Sequence, residues 1–177
     1  MKKLITSGLV AVGMLAALGV AEAKLAGNGG DVQFTAVGPG GLKIVGTTKE
    51  ISVKDDGSTV TVVVPLANLD TGIALRNKHM REKYMEVDKF PTAELSVPRS
   101  ALKFADGSGS AAGTMKIHGQ TRNVTFNYTA KKGGGGFAVD GSVRLNIKDY
   151  GIDVPSYMGV TVKPEVDVAA KFQAADN

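Results

Sequence analysis

Cysteine and tryptophan are both absent from the 177 residues. Without cysteine there can be no disulfide, no thiol nucleophile, no thiolate metal site and no lipidated cysteine at a processed N-terminus. The fold must therefore stand on its core alone. Aromatic residues are scarce, six Phe and four Tyr, too few for the girdles of a membrane-spanning barrel. Charge of one sign is never concentrated: 21 Lys and Arg and 17 Asp and Glu are scattered along the chain, which argues against nucleic acid as a partner. There is no G-x-S-x-G elbow, and the serines fall mostly in turn-like segments, so Ser/His/Asp catalysis has no support.

Long apolar runs are missing too, with one exception at the N-terminus. Met1-Lys2-Lys3 is a basic start, Leu4 to Val20 is uncharged and largely apolar, and Ala21-Glu22-Ala23 is a small-residue cleavage site. This pattern predicts a secretory signal over residues 1–23, a mature chain from Lys24 and export to a bacterial periplasm. A transmembrane anchor is the rival reading, but the run is short and the cleavage site follows at once. The remaining 154 residues carry +3, suit one domain over 24–177, and should bury roughly 70% of their unfolded surface. No span of membrane is expected in that domain.

What is present is period-two alternation. Val60, Val62 and Val64 share one strand face. Val124, Phe126 and Tyr128 alternate with Thr125, Asn127 and Thr129; Val143, Leu145 and Ile147 with Arg144, Asn146 and Lys148; Val166, Val168 and Phe172 with Asp167, Ala169 and Lys171. Each reads as a strand with one wet and one dry face. Shorter strands are predicted at Val32–Ala36, Leu42–Val53, Ala93–Val97 and Thr114–His118. Turn signals at residues 38–41, 55–58 and 106–109 separate them at hairpin length, and Gly133–Gly136 reads as a flexible loop. About eight one-sided antiparallel strands need a closed barrel or a sandwich. An eight-stranded barrel is either filled by side chains or holds one small ligand, and the Val-, Leu- and Ala-rich dry faces suit both.

One segment departs from this pattern. Over Leu69–Pro91, Ile73, Met80, Tyr84 and Val87 recur at helical spacing, with Asp70 or Thr71 as the expected cap and Pro91 as the stop. A lone charged helix among strands covers or plugs something.

Three blocks make the chain resemble the YceI-like family of exported, lipocalin-like proteins that bind polyisoprenoids. They are Leu69-Asp70-Thr71-Gly72 with Arg76, His79, Arg81 and Val87-Asp88-Lys89-Phe90-Pro91; Gly113 to Val124; and Ile147-Lys148-Asp149-Tyr150-Gly151-Ile152 followed by Val160-Thr161-Val162 and Val166-Asp167-Val168. The family commonly shows Arg-Asp at the helix start, where this chain has Arg76-Asn77. The resemblance implies an eight-stranded antiparallel barrel with an inserted helix, an isoprenoid or other lipid-like ligand, and a homodimer.

The expected function is that of a periplasmic carrier holding a long apolar ligand, whether polyprenyl, quinone-like or fatty-acyl. Ten buried methylenes would contribute roughly 8 kcal/mol gross, offset in part by the lost freedom of the bound chain. The candidate apolar lining is Met80, Tyr84, Met85, Met115, Phe126, Tyr128, Tyr150, Tyr157 and Met158, with methionine suited to an irregular guest. Arg76, Arg81, His118 and Arg122 are the candidates for a polar head, arginine through its planar fork. Asp70 reads as a cap rather than an acid–base group, and the two histidines, His79 and His118, lack metal-ligand spacing. No catalytic residue, metal or cofactor is expected. The alternatives are a small isomerase or hydrolase, which would bring His118, Asp70 or Tyr150 together at a pocket, and a filled barrel without a ligand.

Overall fold

The structure, a computed structural model, describes residues 24–176. The expected signal over residues 1–23 lies outside the described residues.

The chain forms one closed antiparallel barrel of eight strands in up-and-down order. The first staves are bent. β1 (Leu25–Asn28) and β2 (Gly30–Val37) run as one stave broken at Gly29, and β3 (Lys43–Thr48) and β4 (Ser52–Asp55) as a second. Then follow β5 (Thr59–Pro65), β6 (Thr92–Pro98), β7 (Gly107–Ile117), β8 (Gln120–Gly133) and β9 (Gly136–Asn146). A small hairpin, β10 (Ser156–Tyr157) with β11 (Val160–Thr161), precedes the last stave, β12 (Glu165–Asp176). β12 pairs with β9 on one side and with β1 and β2 on the other, which closes the barrel and leaves no open edge.

The alternation read from the sequence sets the two faces. On β8, Phe126, Tyr128 and Ala130 are buried inward, and Thr125, Asn127 and Thr129 face out. Outward residues pair across staves: Arg144 with Asp167 at 2.6 Å and Lys171 with Asp140 at 2.9 Å. The outer wall is therefore charged where a membrane-spanning barrel would carry an apolar band. No helix among the described residues is long and apolar enough to cross a membrane.

Four expectations need correction. Leu42–Val53 is two short strands, because the chain breaks between Thr48 and Ser52. β7 begins at Gly107 rather than Thr114 and pairs along its whole length with β8. Gly133–Gly136 is a tight two-residue hairpin, with Gly134 and Gly135 both at positive φ. The long helix is only α1 (Ala74–His79), continued by one π-helical stretch over Met80–Tyr84. Ile73 occupies its cap position without a side-chain bond, and Glu86, at φ 43°, turns the chain away well before Pro91. Asp70 instead accepts from the Gly72 N–H at 2.8 Å and the Asn77 amide at 2.6 Å, pinning the lead-in to the helix.

The turn between β4 and β5 gives a pH prediction. The Asp56 carboxylate accepts from the Ser58 hydroxyl, the Ser58 N–H and the Thr59 N–H, all within 2.8 Å. The hydroxyl foremost, then the two amides, lower its pKa from 3.8 to about 2. A depressed carboxylate adds stability above its unfolded pKa and loses it as pH falls through the folded one. The urea midpoint should therefore fall between about pH 4 and 2, and Asp56→Asn should make that part of the fall shallower. Urea titrations of both proteins across this range check it.

Candidate functional site

The barrel is hollow. A cavity of about 780 Å³ runs through its interior, within the ~300–1,000 Å³ typical of small-molecule sites. Burial shows the same thing independently. No large residue among those described is, taken whole, less than 2% exposed. Val62, Leu95, Val139, Val143 and Val168 point inward yet are only partly buried, because the lumen leaves them uncovered. The packed core is correspondingly displaced to the ends.

One end is sealed. Phe126, Tyr128, Ala130, Phe137, Val53 and Val97 belong to one buried cluster there, with Phe104 and Leu102 packed against it. Tyr128 holds the seal in place, its hydroxyl accepting from the Lys103 N–H at 2.9 Å. Buried beside it, Asp55 and Arg99 form an ion pair, and the Arg99 guanidinium lies 4.4 Å from the centre of the Phe104 ring.

The other end carries the mouth. It is framed by the loop between β2 and β3, by α1 with its π-helical continuation, and by the β10–β11 hairpin. The last two touch: Tyr84 donates to the Ser156 carbonyl at 3.4 Å and accepts from its N–H at 3.3 Å, and the His79 and Tyr157 rings lie 6.1 Å apart. Ile73, Met80, Tyr84 and Val87, which recur at helical spacing, all line the cavity, Ile73 and Val87 from just outside the helical stretch and alongside Leu75, Arg76, His79 and Arg81.

All nine apolar candidates, Met80, Tyr84, Met85, Met115, Phe126, Tyr128, Tyr150, Tyr157 and Met158, lie on the cavity wall. Phe126 and Tyr128 sit at the sealed end, while Tyr157 and Met158 are exposed on the hairpin at the mouth. Burial raises the pKa of the Tyr150 phenol, with Asp149 adding to the shift, so the group stays protonated at neutral pH. Most of the lining was not singled out in the sequence. It consists of the inward valines, leucines and phenylalanines of every stave, whose signal was the alternation itself. One is Phe34, whose ring lies close against Gly46, its partner on β3. A Cβ at Gly46 would fall 2.1 Å from that ring, so only glycine lets it lie against the wall.

Of the four polar-head candidates, Arg76 and Arg81 line the cavity, and His118 and Arg122 do not. His118 sits in the tight β7–β8 turn at φ 50°. Its Nδ1 lies 3.2 Å from the Tyr150 carbonyl and its Nε2 3.0 Å from Glu86. Glu86, bonded first by Lys89 and then by His118, has a lowered pKa. The imidazole thus ties the end of the helical insert to the segment after β9. Arg122 donates to the Thr121 carbonyl on the outer surface. Asp70, His118 and Tyr150 do not converge: Asp70 is exposed, and only Tyr150 reaches the cavity. Among the described residues no group of three or more His, Asp or Glu is placed to hold a metal ion.

The electrostatics of the lining have one sign. Its charged residues are Arg76, Arg81 and Lys103, with no Asp or Glu among them. Arg81 donates from Nη2 to the Leu69 carbonyl at 2.9 Å, while its Nε is buried with no partner among the described residues. A buried donor left unpaired costs free energy, and here it stands beside an apolar lumen.

A YceI-like domain model matches residues 24–174. A UPF0312 protein from Pseudomonas savastanoi pv. phaseolicola is 28% identical over 128 residues, covering 68% of this chain and 66% of the relative. A UPF0312 protein from Vibrio cholerae is 32% identical over 106 residues, covering 55% and 54%. The chain thus spans just under two-thirds of the length of the Pseudomonas relative. Among solved structures, a polyisoprenoid binding domain from Saccharophagus degradans, implicated in plant cell wall breakdown, superposes with a TM-score of 0.70 at 14% identity, over 88% of this chain and 99% of that one. Burkholderia cenocepacia BcnA does so with a TM-score of 0.63 at 18% identity, over 81% and 96%. At these identities the structural likeness is one of fold.

Proposed function

The chain belongs to the YceI-like family, and from that premise we propose that it is a periplasmic carrier that holds one long apolar ligand inside the barrel with its polar end at the mouth. The observation that carries this reading is the apolar cavity of about 780 Å³, sealed at one end and framed by a helix at the other. Its lining supports a hydrocarbon chain, since each methylene moved from water to such a wall contributes ~0.8 kcal/mol. The similar fold of a polyisoprenoid binding domain points the same way. A ligand of the polyprenyl, quinone-like or fatty-acyl type satisfies these demands. Arg81 supplies the polar contact, because its unpaired Nε can donate to a ligand oxygen. The leader over residues 1–23 would deliver the chain to the periplasm.

Parinaric acid, a fluorescent polyene fatty acid, tests this in protein stripped of lipid. Saturable binding at micromolar affinity or tighter is expected, and no saturable signal would overturn the proposal. Arg81→Met should weaken parinaric acid binding by about ten- to a hundredfold, because a hydrogen bond to a charged group is worth roughly 1.5–3 kcal/mol. The methyl ester of the same probe should lose less. Equal losses for acid and ester would remove Arg81 from the head-group role.

A further inference from the structure

Exposed large apolar side chains are few on this surface, and they are not scattered. Six of the seven among the described residues, Leu42, Ile73, Leu75, Tyr157, Met158 and Val160, belong to the three segments that frame the mouth, and all six also line the cavity opening. Singly scattered apolar residues need no explanation, but a contiguous patch marks an interaction surface. Met158 is the extreme case. It sits at the tip of the β10–β11 hairpin at φ 47°, is 85% exposed, and is followed by Gly159 at φ 81°. The tight turn leaves the thioether open to solvent at the rim of the mouth.

Charge accompanies this collar. Residues 42–43, 73–85 and 155–163 carry Lys43, Arg76, Lys78, Arg81, Lys83 and Lys163 against the single acid Glu82. Lys43, Lys78, Lys83 and Lys163 are exposed. Of the acids that flank these segments, Asp70 is bonded by Asn77 and Glu86 by Lys89 and His118, while Asp88, Asp153 and Glu165 are exposed, so the cations outnumber the acids around the mouth. Apolar tips set among exposed cations complement a surface that is anionic at the level of its head groups and apolar beneath.

We propose that the mouth of the barrel docks onto an anionic lipid bilayer, with Met158, Tyr157 and Leu75 entering the interface and Lys78, Lys83, Lys43 and Lys163 facing the head groups. This pose turns the opening of the cavity toward the bilayer, so a lipid-like guest passes between membrane and barrel without crossing water. The proposal deepens the carrier reading and rests on it for its purpose. The docking itself needs no guest, so the two can fail separately.

The test is co-sedimentation of residues 24–177, which hold every stave of the barrel, with vesicles of phosphatidylglycerol and phosphatidylcholine in equal parts and of phosphatidylcholine alone. Apparent partitioning onto the anionic vesicles should exceed that onto the neutral ones by about tenfold, and should fall as salt rises. Leu75→Asp with Met158→Asp should lower it about tenfold again, with no change in the melting temperature, since both side chains are more than half exposed. Lys78→Glu with Lys83→Glu should abolish the preference for phosphatidylglycerol. Absence of binding to anionic vesicles, or binding that both double variants leave intact, overturns the proposal. So does a dimer in sedimentation velocity that Met158→Asp dissolves, because a second copy would then occupy the collar. If the wild type binds parinaric acid but no vesicles, docking alone falls and the carrier reading stands.

Discussion

Gly141→Trp is expected to abolish binding of a long apolar ligand while leaving the barrel folded. Gly141 lies in mid-β9 between the inward Val139 and Val143, on the cavity wall. A Cβ placed there meets nothing closer than the Asn127 carbonyl at 3.9 Å, an ordinary contact, and the backbone is extended. The strand therefore accepts a side chain, and that side chain must project into the lumen. An indole there, in register with Tyr128 on β8, fills lumen that a guest would otherwise occupy. Excluding only four methylenes of a guest removes roughly 3 kcal/mol, which is about a hundredfold in affinity. Glycine weakens a strand interior, so the melting temperature should hold or rise. Parinaric acid titration and thermal unfolding of the same sample check both halves. Undiminished binding in a folded variant would mean that the guest does not occupy the lumen.

Asp55→Ala should produce the largest loss of stability of any single substitution at the sealed end. The Asp55 side chain is fully buried and Arg99 is only 10% exposed. The carboxylate also accepts from the Leu25 N–H at 3.2 Å and the Gly57 N–H at 2.8 Å. One group thus joins the start of β1, the end of β4, the β4–β5 turn and the segment after β6. Its removal takes a fully buried carboxylate from the Arg99 guanidinium and from two backbone N–H groups, a change of the kind that costs about 3–5 kcal/mol. At ~2–4 °C per kcal/mol for a domain of this size, the melting temperature should drop by roughly 10 °C. Arg99→Met in the Asp55→Ala background should restore part of the loss, since it also removes the charge that the Asp55 carboxylate had balanced. Urea unfolding of the wild type and of both variants measures this. A loss below about 1 kcal/mol, the upper range of exposed pairs, would show that the pair is not desolvated in solution.

Much of the fold could be read from residue order. Alternation on β5, β8, β9 and β12 defined a wet and a dry face, and short turns joined most neighbours, so an antiparallel barrel followed. Where alternation was silent the reading failed. Gly107-Ser108-Gly109-Ser110 has no apolar period and resembles a turn, yet it is strand because β8 supplies a full-length partner. Pairing across the sheet overrides local propensity there. The helix at Ala74–His79 is shorter than its pattern because Glu86 adopts a left-handed conformation that no spacing rule announces.

The candidate site was legible in a different way. Met80 and Tyr84 recur at helical spacing and Tyr150 falls in a family-like block, while Met85, Tyr157 and Met158 stood out only as apolar residues suited to a lipid-like guest; all six are found on the cavity lining. Whether that wall encloses a void was not legible, because Val, Leu and Ala on a dry face serve a filled core and a hollow one equally. Barrel radius decides, and it depends on tilt and stagger rather than on any residue. His118 illustrates the converse. A lone histidine in a turn invites a functional role, but its two ring nitrogens are committed to the Tyr150 carbonyl and to Glu86.

Native mass spectrometry of the protein isolated from its own cells, without detergent or added lipid, addresses the carrier account most directly. The account predicts a complex with one lipid-like molecule per chain in the wild type, and a bare chain in Gly141→Trp. A wild-type chain that is consistently empty, or an adduct retained when the lumen is blocked, would contradict it.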